Sequence, residues 1–123
     1  IGVEECRDLH RLIEAFGDRQ VGRALQLIHE RPAEAWTVDG LAGAVGMSRS
    51  RFAERFRELV GQGPMSYLAD WRLQKALALL DRAPGSSVQQ IAGQTGYRSP
   101  AAFTRAFTGK FGVAPSAYRR RSG

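Results

Sequence analysis

One segment of this chain occurs twice. Thr37-Val38-Asp39-Gly40-Leu41-Ala42-Gly43-Ala44-Val45-Gly46 lies over Ser87-Val88-Gln89-Gln90-Ile91-Ala92-Gly93-Gln94-Thr95-Gly96, fifty residues later. After one extra residue in the second copy the match resumes. Phe52, Phe56, Gly61, Pro64 and Tyr67 fall on Phe103, Phe107, Gly112, Pro115 and Tyr118. Each copy meets the demands of two helices meeting at a tight turn. Such a unit needs a small residue where the helices cross and, four positions on, one that tolerates positive φ. Ala42 with Gly46 and Ala92 with Gly96 meet both conditions, flanked by apolar Leu41, Val45, Met47, Ile91 and Tyr97.

Periodicity is helical nearly throughout, and alternating β-branched runs are absent. Residues 3–16 space Val3, Leu9, Leu12, Ile13 and Phe16 as one apolar stripe, with Gly17 as a stop. Asp18 caps a helix to about Glu30 that buries Val21, Ala24, Leu25 and Ile28, and Arg31-Pro32 ends it. Thr37 opens a short helix in which Ala42 and Gly43 leave room for a crossing neighbour. Ser48 caps the next, through about Val60, with Phe52, Phe56 and Leu59 inward. Pro64 starts a long helix to about Asp81, Ser87 a short one to Thr95, and Ser99-Pro100 one to about Phe111. Pro115 opens a last short turn carrying Tyr118, and the tail Arg119-Arg120-Arg121 is expected to fray.

The net charge of +6 is unevenly spread. Residues 1–36 carry net −2, residues 37–81 net +1, and residues 82–123 seven basic groups with no acidic one. An acid-free third of that kind suits a polyanion, because each phosphate neutralised releases counterions. No apolar run reaches the roughly 18–20 residues that span a membrane, and no signal peptide opens the chain. The chain lacks an initiator Met, which leaves open both a fragment cut from a longer protein and a complete product. A single Cys6 forms no internal disulfide or thiolate metal site, which favours a reducing compartment.

A small all-helical chain that builds one two-helix unit twice is read as gripping two stretches of nucleic acid. In such a unit the N-terminal half of the second helix enters the major groove. With Phe52, Phe56 and Leu59 inward, the opposite face carries Arg49, Ser50, Ala53, Glu54 and Arg57. With Phe103 and Phe107 inward, the later helix shows Ala101, Thr104, Arg105 and Thr108. Arg49 and Arg105 suit the bidentate fork to guanine, and small Ser50, Ala53 and Ala101 permit close approach. Glu54 suits either cytosine N4 or a neighbouring Arg, with the pairing preferred. Thr37 and Ser87 head helices whose N-termini could face phosphates while serving as caps. Arg51, Arg55, Arg98 and Lys110 join them as phosphate candidates, with Ser99 and Thr108.

The paired units, Gly46-Met47-Ser48, Gly96-Tyr97-Arg98-Ser99, Phe103-Thr104-Arg105-Ala106-Phe107 and above all Phe111-Gly112-Val113-Ala114-Pro115 with Tyr118 resemble the DNA-binding domain of the AraC/XylS family of bacterial transcription regulators. The resemblance covers about residues 18–121. It implies seven helices, with the one after Pro64 joining two subdomains. It also implies recognition helices near 48–60 and 99–111 in successive major grooves on one DNA face, ~34 Å apart. By position, the family's base-reading sites fall at Ser50, Ala53 and Glu54, and at Pro100, Ala101 and Arg105. Well-studied members carry larger polar residues at several of these places. Readout here therefore shifts to neighbours such as Arg49 and Arg51, or to DNA shape. Trp36-Thr37-Val38 through Arg49-Ser50, with Trp71-Arg72-Leu73, resemble members that have an N-terminal cupin-like sensor domain.

The expected fold is all-α: two helix-turn-helix subdomains joined by a long linker helix, about seven helices plus an N-terminal helical extension. Residues 1–17 are the extension from a sensor domain, 18–63 the first subdomain, 64–82 the linker helix and 83–123 the second subdomain with its basic tail. The expected function is sequence-specific recognition of double-stranded DNA by a transcription regulator in the bacterial cytoplasm, at the nucleoid. RNA polymerase is the expected partner if the protein activates, and a missing N-terminal domain would bind any effector. No cofactor, metal or membrane is expected. Against catalysis stand two His, one Cys, no clustered carboxylates, and no P-loop, zinc spacing or nucleophile elbow. The alternative is a helical protein-interaction module, which would show an exposed apolar groove where these stripes are expected to be consumed by the core. RNA binding would call for stacking aromatics on a sheet or loop platform.

Overall fold

The computed structural model describes residues 3–122, with side chains described for residues 9–120. These residues form eight helices and no strand, so the chain is all-α. They are α1 (Val3–Gly17), α2 (Arg19–Glu30), α3 (Val38–Ala44), α4 (Arg49–Val60), α5 (Pro64–Arg82), α6 (Val88–Gln94), α7 (Pro100–Phe111) and α8 (Pro115–Ser122). The side chains of Val3, Cys6 and Arg121 lie outside the described residues. Among the described residues no helix is long and apolar enough to cross a membrane.

The chain divides into two compact units. One holds the described residues through Arg31 together with Trp36–Leu68, the other Pro32–Ala35 together with the described residues from Ala69 on. Short side chains start the helices. Asp18 accepts from the backbone N–H of Gln20 and Val21, Thr37 from Gly40, Ser48 from Arg51 and Ser99 from Ala102. At α6 the cap is reciprocal: Ser87 Oγ accepts from Gln90 N–H at 3.0 Å, while Gln90 Oε1 accepts from Ser87 N–H at 2.8 Å.

Both short helices end in the same turn. Gly46 and Gly96 adopt φ of +74° and +98°. Met47 N–H then donates to Ala42 O at 2.9 Å, as Tyr97 N–H does to Ala92 O at 3.0 Å. These six-to-one bonds satisfy carbonyls that the helix leaves unpaired. Ala42 and Ala92 are buried where α3 packs on α4 and α6 on α7. Gly43 was expected to share that role. It is exposed, with nothing within 4 Å of where a Cβ would stand, so Ala42 alone gives the room.

Paired aromatic rings fix the second helix in each unit. Phe52 and Phe56 are fully buried with centroids 5.7 Å apart at 55°; Phe103 and Phe107 are fully buried at 5.7 Å and 54°. Tyr67 closes the first pair edge-on at 5.9 Å from Phe56, and Tyr118 the second at 6.1 Å from Phe107. The repetition is therefore structural as well as textual. In the second unit Leu73, Ala76 and Leu80 of α5, with Ile91 and Ala92 of α6, complete the buried cluster around Phe103 and Phe107.

Two further expectations fail. Among the described side chains of α1 the buried one is Ala15, whereas Leu9, Ile13 and Phe16 are 61%, 62% and 43% exposed. Of the expected stripe Leu12 is half-buried, and the core does not consume Leu9, Ile13 and Phe16. The end of α1 approaches α2 closely: a Cβ on buried Gly22 of α2 would lie 2.5 Å from Phe16 O. The C-terminal tail does not fray at Arg119. Helix α8 runs to Ser122, and the Arg119 guanidinium donates to Ser86 O and Ala83 O.

Candidate nucleic-acid interface

The inward rings set the rotational phase of α4, and with it what the opposite face presents. Arg49, Ser50, Glu54 and Arg57 are exposed there, and Ala53 is half-buried. On α7, Pro100, Ala101, Arg105 and Thr108 are exposed and Thr104 is half-buried. Each helix thus turns toward solvent the face whose residues the sequence singles out.

The charged groups on these faces differ in freedom. Arg49 Nη1 lies 3.5 Å from Asp39 Oδ2 of α3. Arg55 is held more firmly: Nη2 and Nε reach Asp18 Oδ2 at 2.8 and 3.2 Å, and Nη1 lies 3.9 Å from Glu58. Lys110 Nζ pairs with Asp70 at 3.2 Å and stands 5.8 Å from the Phe111 ring centre. Among the described residues no hydrogen bond or ion pair engages the side chains of Arg51, Glu54, Arg98 or Arg105. The preferred pairing of Glu54 with a neighbouring Arg is therefore absent. Thr37, Ser87 and Ser99 spend their side-chain oxygens as caps.

Asp18 joins two tasks, capping α2 and anchoring Arg55 of α4. The Val21 backbone N–H holds its carboxyl below the ordinary value against the opposing effect of burial, helped by Arg55 and the Gln20 N–H. A depressed folded pKa means the stabilisation is full above the unfolded value of roughly 3.9 and disappears as pH falls through the folded one. We expect Asp18→Ala to destabilise the first unit by about 1 kcal/mol at neutral pH. The gap from wild type should close in acid, and urea melts at pH 7 and pH 3 check it.

The helix-turn-helix domain family matches residues 41–121, two thirds of the chain and both of its glycine turns. The chain belongs to the AraC-type helix-turn-helix DNA-binding domains. It is 41% identical over 120 residues to the HTH-type transcriptional regulator AlkR of Acinetobacter baylyi, covering 98% of this chain and 39% of that protein. It is 39% identical over 108 residues to a putative AraC-like transcription regulator of Streptomyces lividans, covering 88% and 35%. The chain therefore spans between a third and two fifths of these curated relatives. Its fold is similar to the crystal structure of the DNA-binding domain of AdpA in complex with a target DNA. The TM-score there is 0.79 at 35% identity, over 85% of this chain and 92% of that one.

Two arginines of this AraC-type chain organise it in ways the sequence reading missed. Arg72 Nε donates to Pro32 O at 2.7 Å and its Nη2 to Glu34 O at 2.9 Å. Burial pulls its pKa down, and facing Tyr97 partly opposes that. Arg119 clasps the loop before α6 in the same manner. Both serve backbone carbonyls far away in sequence.

Proposed function

We propose that this AraC-type domain regulates transcription by inserting α4 and α7 into successive major grooves of one double-stranded DNA site. The duplicated geometry supports this reading best. In both units a fully buried phenylalanine pair fixes the helix from behind and leaves its N-terminal half exposed. Arg49, Ser50, Ala53 and Glu54 of α4, with Pro100, Ala101, Thr104 and Arg105 of α7, meet base edges. Arg51, Arg98 and Thr108 meet phosphates, joined by backbone N–H groups beside Thr37, Ser87 and Ser99. Arg55 and Lys110 reach phosphates by exchanging their carboxylate partners for the DNA. The protein works at the bacterial nucleoid, in the cytoplasm. A preceding sensor domain, of which residues 1–17 are the end, supplies effector control, and RNA polymerase is the partner where transcription rises.

Selection of binding sites from random duplexes, followed by anisotropy titration at several salt concentrations, tests the proposal. Affinity should fall with salt at a log–log slope near −0.9 for each phosphate neutralised. We expect Arg105→Ala to weaken the selected site by about 1–3 kcal/mol and to relax preference at one base pair. Unchanged selectivity in that variant would remove Arg105 from the readers. Equal affinity for single-stranded RNA would defeat the duplex reading.

A further inference from the structure

The two probe helices carry opposite charges at one equivalent place. With Phe52 laid on Phe103 and Phe56 on Phe107, Glu54 falls on Arg105, Ser50 on Ala101 and Ala53 on Thr104. Glu54 and Arg105 each follow the first buried ring by two residues, and both are exposed. The ring pairs behind them share the same spacing and tilt, so each side chain holds the same place on its helix relative to the rings of its own unit. One is an acceptor only and the other a donor only.

Glu54 stands among cations without being neutralised by them. Arg51 precedes it by three residues, Arg55 follows directly and Arg57 comes three later, yet none pairs with it. Arg55 is instead taken by Asp18 and Glu58. A bare carboxylate facing DNA repels phosphates and every acceptor in the groove, so it is tolerated only where a base offers it a donor. Guanine presents N7 and O6 and thymine presents O4, all acceptors. Adenine sets its amino group beside N7, which repels the second carboxylate oxygen. Cytosine presents its N4 amino group with no acceptor beside it on the same base.

We propose that Glu54 selects cytosine where Arg105 selects guanine at the corresponding position of the other half-site. This rests on the reading that α4 and α7 enter the major groove. The target is then not a plain direct repeat: the matched base pair is C·G in one half and G·C in the other. A plain direct repeat, with the same base pair in both halves, would set one of the two side chains on a base edge of its own polarity.

The test is selection from random duplexes with the purified chain and with its Glu54→Arg, Glu54→Ala and Arg105→Ala variants, each checked for a native helical melt. Wild type should recover cytosine in one half-site and guanine in the other. Glu54→Arg should convert the cytosine to guanine at that position alone and bind the converted duplex at least tenfold more tightly than wild type does. Glu54→Ala should lose the cytosine preference while gaining affinity for unrelated duplexes. Cytosine retained by both Glu54 variants, with Arg105→Ala still relaxing its own position, overturns this assignment and leaves the groove reading standing. No change of preference in any variant overturns the groove reading itself, and this inference with it.

Discussion

Phe107→Ala should lower the stability of the second unit by about 3–5 kcal/mol, the range for removing a buried aromatic ring. Phe107 is fully buried and touches three rings, with centroids 5.7 Å away at Phe103, 4.7 Å at Phe111 and 6.1 Å at Tyr118. Those rings belong to α7 and α8, so shrinking one side chain leaves a void that neither helix fills without moving. Whole domains are stable by only about 5–15 kcal/mol, so the loss is a large share of what a unit this small possesses. Trp36 lies in the first unit and Trp71 in the second, so single-tryptophan variants report each separately. Urea melts should move the midpoint seen at Trp71. A midpoint unmoved there would show that the ring does not hold this unit together.

Gly96→Val should destabilise the same unit by about 3 kcal/mol or more, through backbone strain and crowding together. At φ of +98° an L side chain is strained, most of all a β-branched one. A Cβ there would also stand 2.9 Å from Arg72 Nε and 3.0 Å from Pro32 O. The guanidinium cannot swing aside freely, because it is tied to Pro32 O and Glu34 O. Gly46 gives the control. Its φ is +74° with nothing within 4 Å, so Gly46→Ala meets only the left-handed penalty of roughly 1–2 kcal/mol. Thermal melts followed by circular dichroism separate the two, and a wild-type melt for Gly96→Val would mean the turn is not the strained element described.

What was legible in the sequence is what neighbouring residues settle among themselves. Ser48 and Ser99 start helices because a hydroxyl reaches a backbone N–H three residues on, and Gly46 and Gly96 end them because of a local φ. The rings at 52, 56, 103 and 107 then set which residues face out, so the candidate readers could be named from spacing. The face of α1 was not legible, since Leu9, Ile13 and Phe16 satisfy helical spacing as well on the exposed side as on the buried one. The close approach of α1 to α2 at Gly22, which looks ordinary in the sequence, was equally hidden. Charge partners were hidden for the same reason. Asp18 and Arg55 meet across 37 positions, and Arg119 reaches Ser86 across 33.

The twin ring pairs have one more consequence. Each of these two helices is anchored from its rear by a buried phenylalanine pair that makes no demand on what the front displays. Exposed substitutions away from caps and turns usually alter stability by no more than about 0.5 kcal/mol. Target preference in such a domain can therefore drift one letter at a time, in either copy independently, while the scaffold beneath stays folded. A single ancestral framework is thus able to acquire two unlike vocabularies.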